Sequence, residues 1–470
     1  MKKFMREASF FFPWMENRRV HFVGIGGIGV SSLARWFLAQ KWAVFGSDAS
    51  TSALLRELKK EGIRVKIGHK KGNISAKTGL VVYSSAVSSK NPELLEARRC
   101  GIPTLSYPEA LEALTWVYMT VAIAGAHGKS TTTSLLSLML VRGRKDPTVI
   151  VGTKLREFGR GRSYGSNFRD GKSGMLVLEA DEFHSSFLHY SPAAALITNV
   201  DREHLDWYGT FANVKKAFLE FVGNIRQGGV VVLNRDDATL RLLAPKMEKI
   251  AKDRGVRVVW FTVRSEEGNA LRSRLHIPGS HNFSNAVGAF TLARILGVPE
   301  RDAQKALEDY RGVWRRFEYK GKWRTKKGGS VKVYDDYGHH PTEVKKTLEG
   351  AKTFFEGAKI ICVFQAHQAR RLKTLFGDFI NAFNAADSVI ILPTYTVLGR
   401  DTIDARYSSK KLAERVAKRG KVSDVVYCEE PKNIHSIVRR ITEENGNKDC
   451  IVIMMGAGTI VEYTKNLLRK

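Results

Sequence analysis

The segment Gly125-Ala126-His127-Gly128-Lys129-Ser130-Thr131 follows the apolar run Tyr118–Ala124 and leads into an apolar helix over Leu135–Val141. Glycines in such a turn expose backbone N–H groups to phosphate oxygens. Lys129 supplies a point charge for the β- and γ-phosphates, and a Ser130 or Thr131 hydroxyl can ligate Mg²⁺. The spacing is shorter than the common G-x-x-x-x-G-K-[ST], because Ile123 stands where the first glycine would be. Downstream, the apolar strand Met175–Leu178 ends in Glu179-Ala180-Asp181-Glu182, and the strand Ala194–Thr198 runs into a stretch that carries His204. Open α/β sheets bind ligands at the carboxyl ends of their strands, which is where a Mg²⁺-binding acid belongs. Alone, His204 reads as a surface or packing histidine; beside a phosphate loop and an acidic strand end it reads as a candidate metal ligand.

A second glycine loop, Gly24-Ile25-Gly26-Gly27-Ile28-Gly29, follows the short strand Val20–Val23, with apolar residues at helical spacing behind it and Asp48 about twenty residues beyond its turn. Its glycines let the backbone approach a pyrophosphate at a helix N-terminus. A dinucleotide, a UDP-sugar and a purely structural turn all remain compatible with it.

These loops need parallel sheets behind them, and the hydrophobic pattern provides three α/β blocks. The boundaries expected are 1–117 for an N-terminal Rossmann-like domain, 118–312 for a central P-loop domain with a mostly parallel sheet, and 313–470 for a C-terminal Rossmann-like domain. A chain of 470 residues with 43% apolar and 26% charged residues supports three folded cores and excludes a disordered or disulfide-stapled protein. The four cysteines show no zinc-knuckle spacing, no stretch reaches the ~18 apolar residues that cross a bilayer, and the N-terminus lacks a signal-peptide pattern. A cytoplasmic protein without membrane insertion is expected. The net charge of +29 attracts anions of any kind, but it is scattered and forms no basic arm, so no specific nucleic-acid partner is expected.

Further motifs complete the set: Thr198-Asn199 with His204-Leu205-Asp206, His281-Asn282-x-x-Asn285, Arg315-Arg316-Phe317, Asp335-Asp336-Tyr337-Gly338-His339-His340-Pro341-Thr342-Glu343, and Phe364-Gln365-x-His367. Together with the two glycine loops they resemble the Mur ligases of peptidoglycan synthesis, in order, from about His21 to Ile460. The N-terminal loop and the Phe364 segment resemble the branch that joins L-alanine to UDP-N-acetylmuramate.

The resemblance implies an ATP-dependent amide ligase working through an acyl phosphate, with Mg²⁺ or Mn²⁺ as cofactor, as a monomer or weak dimer. It implies that Gly24–Gly29 and Asp48 hold the UDP-sugar. Gly125–Thr131 would hold the ATP phosphates, Ser130, Glu179 and His204 would surround the metal, and His281, Asn282 and Asn285 would contact the adenine side. Arg316 and Asp336 would close over the nucleotide, and His339, His340 and Arg371 would position the amino acid and the lactyl carboxylate. Two positions depart from the family pattern. Gln368 replaces an arginine expected on the amino-acid carboxylate, a contact that a neutral amide cannot reproduce. Phe218 stands where some sister ligases carry a carbamylated lysine, so no carbamylation is expected. Zinc at His127 or His339-His340 is disfavoured by their phosphate-handling neighbours. The alternatives are a ligase that joins a murein tripeptide to the same sugar nucleotide, a basic nucleic-acid-binding ATPase, and an NAD-dependent oxidoreductase. The last leaves Lys129, Glu179 and His204 without a role. Cyanophycin- or folate-type relatives would leave the N-terminal block unexplained.

Overall fold

The computed structural model describes residues 17–159, 165–275, 277–396 and 404–468. Its contacts divide the chain into two units, Met1–Leu275 with Ser284–Asp309, and His276–Phe283 with Tyr310–Lys470.

The first unit contains two sheets. Strands β1 (Arg19–Val23), β2 (Ala43–Asp48), β3 (Arg64–Ile67), β4 (Leu80–Tyr83) and β5 (Thr104–Ser106) form a parallel sheet of order β3-β2-β1-β4-β5. Strands β6 (Met119–Ala124), β7 (Thr148–Leu155), β8 (Ser166–Arg169), β9 (Met175–Glu179), β10 (Ala194–Ile197), β11 (Val230–Asn234) and β12 (Arg257–Phe261) form a sheet of order β12-β11-β10-β6-β9-β7-β8. It is parallel except for the edge pair β7–β8. The central strands carry near-continuous apolar runs because both sheet faces are covered; Val121, Ile123, Leu176, Leu178, Leu196 and Val232 are fully buried.

Both loops sit at carboxyl strand ends, as the motifs require. The helix Ile28–Ala39 follows the first loop, and the helix Lys129–Arg142 begins directly behind Gly128, six residues before the apolar periodicity becomes visible at Leu135. The edge strand β8 joins the two halves of this unit. Buried Asn167 donates to the Ile28 carbonyl at 2.5 Å and to Ser31 Oγ at 2.9 Å, and accepts from Arg35, which pairs with Glu61 at 2.7 Å. On β7, Lys154 donates to Glu57 at 2.7 Å. The helix behind the first loop is thereby tied to the sheet edge that flanks β9, whose last residue is Glu179.

The second unit contains β13 (Glu318–Arg324), β14 (Ser330–Asp336), β15 (Lys359–His367), β16 (Ser388–Tyr395), β17 (Asp424–Tyr427) and β18 (Cys450–Met455), in the order β13-β14-β18-β15-β16-β17. Only the β13–β14 pair is antiparallel within this sheet. Buried side chains fill both faces, Ile360, Phe364 and Phe379 on one and Val333, Val363 and Val452 on the other. The segment 276–283 groups with this unit, whereas the sequence pattern alone closes the central block near Gly312. Among the described residues no helix is long and apolar enough to cross a membrane.

Candidate active site

In the first unit, the strand-end positions of β6, β9 and β10 bring the phosphate loop and the acids together. Gly125 (φ +131°) and Gly128 (φ +86°) take conformations that L side chains rarely adopt, and a Cβ on Gly128 would lie 2.3 Å from Asn285 Oδ1. The loop's shape is held from β10. Asn199 Oδ1 accepts the His127 N–H at 2.9 Å, while Thr198 Oγ1 and Asn199 Nδ2 donate to the His127 carbonyl at 2.6 and 2.8 Å. The His127 ring meets Asp201 at 2.9 Å. Thr198 and Asn199 thus act on the loop itself, a role their spacing in the sequence did not disclose.

Lys129 occupies the first turn of its helix and folds back to donate to the Gly125 carbonyl at 2.8 Å and to Glu182 at 2.7 Å. Burial alone would lower its pKa, but Glu182, Asp181 and Glu179 together hold it above the ordinary lysine value, so it is a fixed cation. Burial pushes the Glu182 carboxyl up to about 7 in spite of Lys129. Burial also raises Glu179, opposed by the Gly152 N–H, which donates at 2.7 Å, and by Lys129 and Ser130.

The three expected metal ligands fall into two neighbouring groups. Ser130 Oγ donates to Glu179 at 2.8 Å, whereas His204 Nε2 faces Glu182 Oε1 at 3.6 Å. Asp181, Glu182 and His204 offer ligand atoms within 4.8 Å of one another. The His204 ring packs on Phe183 with centroids 4.7 Å apart, and its backbone is left-handed (φ 54°), the kind of strain that concentrates at functional positions. Hydroxyl, carboxylate and imidazole donors suit a hard divalent cation, and the buried Glu182 Oε1 makes no hydrogen bond in this structure. The residues therefore fit the metal, with Glu182 and Asp181 added to the set read from the sequence.

The other glycine loop follows β1. Asp48, at the end of β2, accepts the Gly26 N–H at 2.7 Å and so braces the loop from beneath. Phe218 is fully buried and packs edge-on against Phe187.

In the second unit, the ends of β14, β15 and β18 assemble another cluster. Arg315 and Phe317 have positive φ, 57° and 51°, and the turn between them is secured by the Phe317 N–H donating to Asp336 Oδ2 at 2.9 Å. Asp336 Oδ1 accepts the Gly338 N–H at 2.8 Å. Asp336 thus orders the backbone around Arg316, whose guanidinium meets Glu343 at 3.3 Å and lies over the Tyr337 ring. His340 caps the helix Pro341–Phe354 in a capping box with Glu343, and the His339 N–H donates to the same carboxylate at 3.0 Å. His339 and His367 rings lie 6.2 Å apart, and His367 stacks on Tyr395. Arg371 is half-buried in the short helix Ala369–Thr374, while Gln368 adopts φ 69° at its start. His281 and Asn282 also belong to this unit, where Asn282 Nδ2 donates to the Pro278 carbonyl at 2.6 Å; Asn285 belongs to the first, against Gly128.

Burial raises both Asp335 and Asp336 to about 6. An aspartate held above its ordinary pKa favours the protonated fold, so stability contributed by this pair is greatest near pH 4, falls as pH rises to about 6, and is flat above. Asp335 accepts from Thr464 at 2.5 Å and lies on the far side of the strand from the Arg316 turn. Asp335→Asn is expected to remove roughly half of that slope and to raise the melting temperature at pH 7.5, as thermal unfolding across pH 4–8 would show.

The Mur ligase family models match in order: the catalytic domain of the family over residues 19–117, the middle domain over 123–293 and the glutamate ligase domain over 315–458. The UDP-N-acetylmuramate–L-alanine ligase of Persephonella marina is 36% identical over 463 residues, 96% of each chain. That of Caldanaerobacter subterraneus is 37% identical over 470 residues, covering 96% of this chain and 98% of its own. Among solved structures, the UDP-N-acetylmuramate–alanine ligase of Thermotoga maritima superimposes with a TM-score of 0.75 at 26% identity, over 96% of this chain and 98% of that one. A murein peptide ligase from Psychrobacter arcticus shares the fold, with a TM-score of 0.65 at 22% identity over 96% of this chain and 98% of its own.

Proposed function

This chain belongs to the Mur ligase family, and from that premise we propose that it joins L-alanine to UDP-N-acetylmuramate at the expense of ATP, in the cytoplasmic synthesis of peptidoglycan precursor. The observation that carries the reading is the arrangement of Lys129, Ser130, Glu179, Glu182 and His204 at the carboxyl edge of one sheet, in the same unit as the Gly24–Gly29 loop.

A carboxylate resists attack by an amine at neutral pH because its oxygen is a poor leaving group. Transfer of the ATP γ-phosphoryl to the lactyl carboxylate solves this. The amine of alanine then attacks the acyl carbon, the C–O bond to phosphate breaks, and an amide forms with loss of one proton from nitrogen. Lys129 and the loop N–H groups meet the negative charge that develops on the transferring phosphoryl. Mg²⁺, held by Ser130 and Glu179 with Asp181, Glu182 and His204 at hand, would neutralise phosphate charge and orient the γ-phosphoryl. Asn285 and the Thr198-Asn199 pair keep the loop in its phosphate-binding shape. The Gly24–Gly29 loop, braced by Asp48, binds the diphosphate of the sugar nucleotide. In the second unit, His339, His340 and Arg371 are the groups assigned to the amino acid and the lactyl carboxylate, and Arg316, paired with Glu343 beside the turn that Asp336 orders, is assigned to the nucleotide.

Phosphate release with ATP, Mg²⁺ and UDP-N-acetylmuramate, compared across L-alanine, glycine, L-serine and the L-Ala-γ-D-Glu-meso-diaminopimelate tripeptide, tests the assignment. Release that requires both the sugar nucleotide and L-alanine is expected. Preference for the tripeptide would reassign the chain to the recycling reaction.

A further inference from the structure

Tyr107 is absent from every motif above, yet its position relates it to the first glycine loop. It is the first residue after β5, and the pairing of Ser106 with Tyr83 puts it at the carboxyl edge of the N-terminal sheet, the edge from which the Gly24–Gly29 loop rises. A Cβ on Gly29 would lie 2.8 Å from the Tyr107 hydroxyl oxygen, so the phenol rests against the last glycine of that loop. On the same turn the Ser32 hydroxyl donates to the Gly29 carbonyl at 2.5 Å, which holds the backbone against which the phenol rests.

The backbone that carries it is also well fixed. Ser106 and Glu109 form a capping box, with the Ser106 N–H donating to Glu109 at 2.6 Å, and Pro108 occupies the first turn. Tyr107 therefore starts a helix whose entry is rigid, so the backbone that carries the phenol is set before any ligand arrives. Burial, reinforced by the charges of Glu179 and Asp181, keeps the phenol well above its ordinary pKa, so it remains a proton donor throughout the physiological range.

The proposed reaction supplies the ligand that would use this donor. A sugar nucleotide with its diphosphate at Gly24–Gly29 brings phosphate oxygens to the turn against which the Tyr107 hydroxyl rests. We infer that the Tyr107 hydroxyl donates a hydrogen bond to a diphosphate oxygen of the sugar nucleotide and is a specificity-determining residue for that substrate. The phenol O–H turns toward the phosphate, an anionic acceptor that makes a strong hydrogen bond. The inference rests on the assignment of UDP-N-acetylmuramate as substrate.

Tyr107→Phe keeps the ring and its packing and removes only the donor. Two readouts separate the outcomes: steady-state kinetics with UDP-N-acetylmuramate, and calorimetric binding of UDP alone, which needs no ligation. Loss of one charge-assisted hydrogen bond should raise KM for the sugar nucleotide and Kd for UDP by about tenfold each. Because the contact is made equally in ground and transition states, kcat and the KM for ATP should stay within about twofold. Unchanged UDP affinity in Tyr107→Phe would overturn the inference, as would a lowered melting temperature with normal affinity, which marks a hydroxyl that serves packing alone. If the wild-type protein binds UDP but does not turn over the sugar nucleotide with L-alanine, the substrate assignment fails while the Tyr107 contact is still judged by the UDP arm.

Discussion

Lys129→Ala is expected to lower kcat by about a thousandfold while leaving the protein folded. The activity loss follows from the position of the ammonium, fixed by the Gly125 carbonyl at 2.8 Å and Glu182 at 2.7 Å beside the loop N–H groups. Removing one preorganised donor from developing charge in a water-poor site costs about two to three orders of magnitude, and a full positive charge belongs at the upper end. The folded state survives because Glu182 already titrates at about 7 and can take up a proton when its partner is deleted. That compensation has a sign that can be measured. A buried carboxyl raised above its ordinary pKa gives stability at low pH and loses it as pH rises, and without Lys129 the rise in pKa is larger. The melting temperature of the variant should therefore fall more steeply than that of the wild type between pH 5 and pH 9. A variant that keeps a tenth or more of wild-type kcat would remove Lys129 from the chemistry.

Gly125→Ala is expected to damage both stability and ATP use. The backbone at Gly125 has φ +131°, and an added Cβ would lie 2.1 Å from Thr198 Oγ1 and 3.1 Å from the Asn199 backbone. Thr198 cannot simply turn away, because its hydroxyl donates to the His127 carbonyl at 2.6 Å. The strained conformation alone costs about 1–3 kcal/mol, and displacement of the Thr198-Asn199 support adds to it. A fall in melting temperature of about 5–10 °C is expected, together with loss of measurable phosphate release. Differential scanning calorimetry and the ligation assay check the two parts separately. A fully stable, fully active Gly125→Ala protein would show that the loop does not need this conformation.

What could be read from the sequence was whatever depends on local pattern. Gly24–Gly29 and Gly125–Thr131 announce themselves because a tight turn between a strand and a helix demands glycine at fixed offsets, and because Lys129 and Ser130 follow at once. Parallel strands such as Val230–Asn234 show as unbroken apolar runs. The edge strands β8 and β13 are shorter on apolar residues and pair antiparallel, so neither resembles a buried parallel strand. At the site, the division of labour among Glu179, Asp181 and Glu182 could not be read from three neighbouring acids. It depends on which of them meets Ser130 and which meets Lys129. Gly152 acts through its backbone N–H on Glu179, and Thr198 and Asn199 act through their side chains on the backbone of His127, so the Thr198-Asn199 motif shows in the sequence while its target does not. Tyr107 was hidden for the same reason: its meaning comes from Gly29, 78 positions away in sequence and adjacent in space.

The most direct test of the ligase chemistry follows one oxygen atom. UDP-N-acetylmuramate labelled with ¹⁸O in its lactyl carboxylate is incubated with ATP, Mg²⁺, L-alanine and the wild-type protein, and the released phosphate is analysed by mass spectrometry. If the carboxylate is phosphorylated before the amine attacks, the C–O bond that breaks lies between the acyl carbon and a carboxylate oxygen, so each phosphate carries one ¹⁸O and each product amide has lost one. Phosphate without label, formed alongside unconsumed sugar nucleotide, would show hydrolysis of ATP by water and would contradict the assignment of this site to amide ligation.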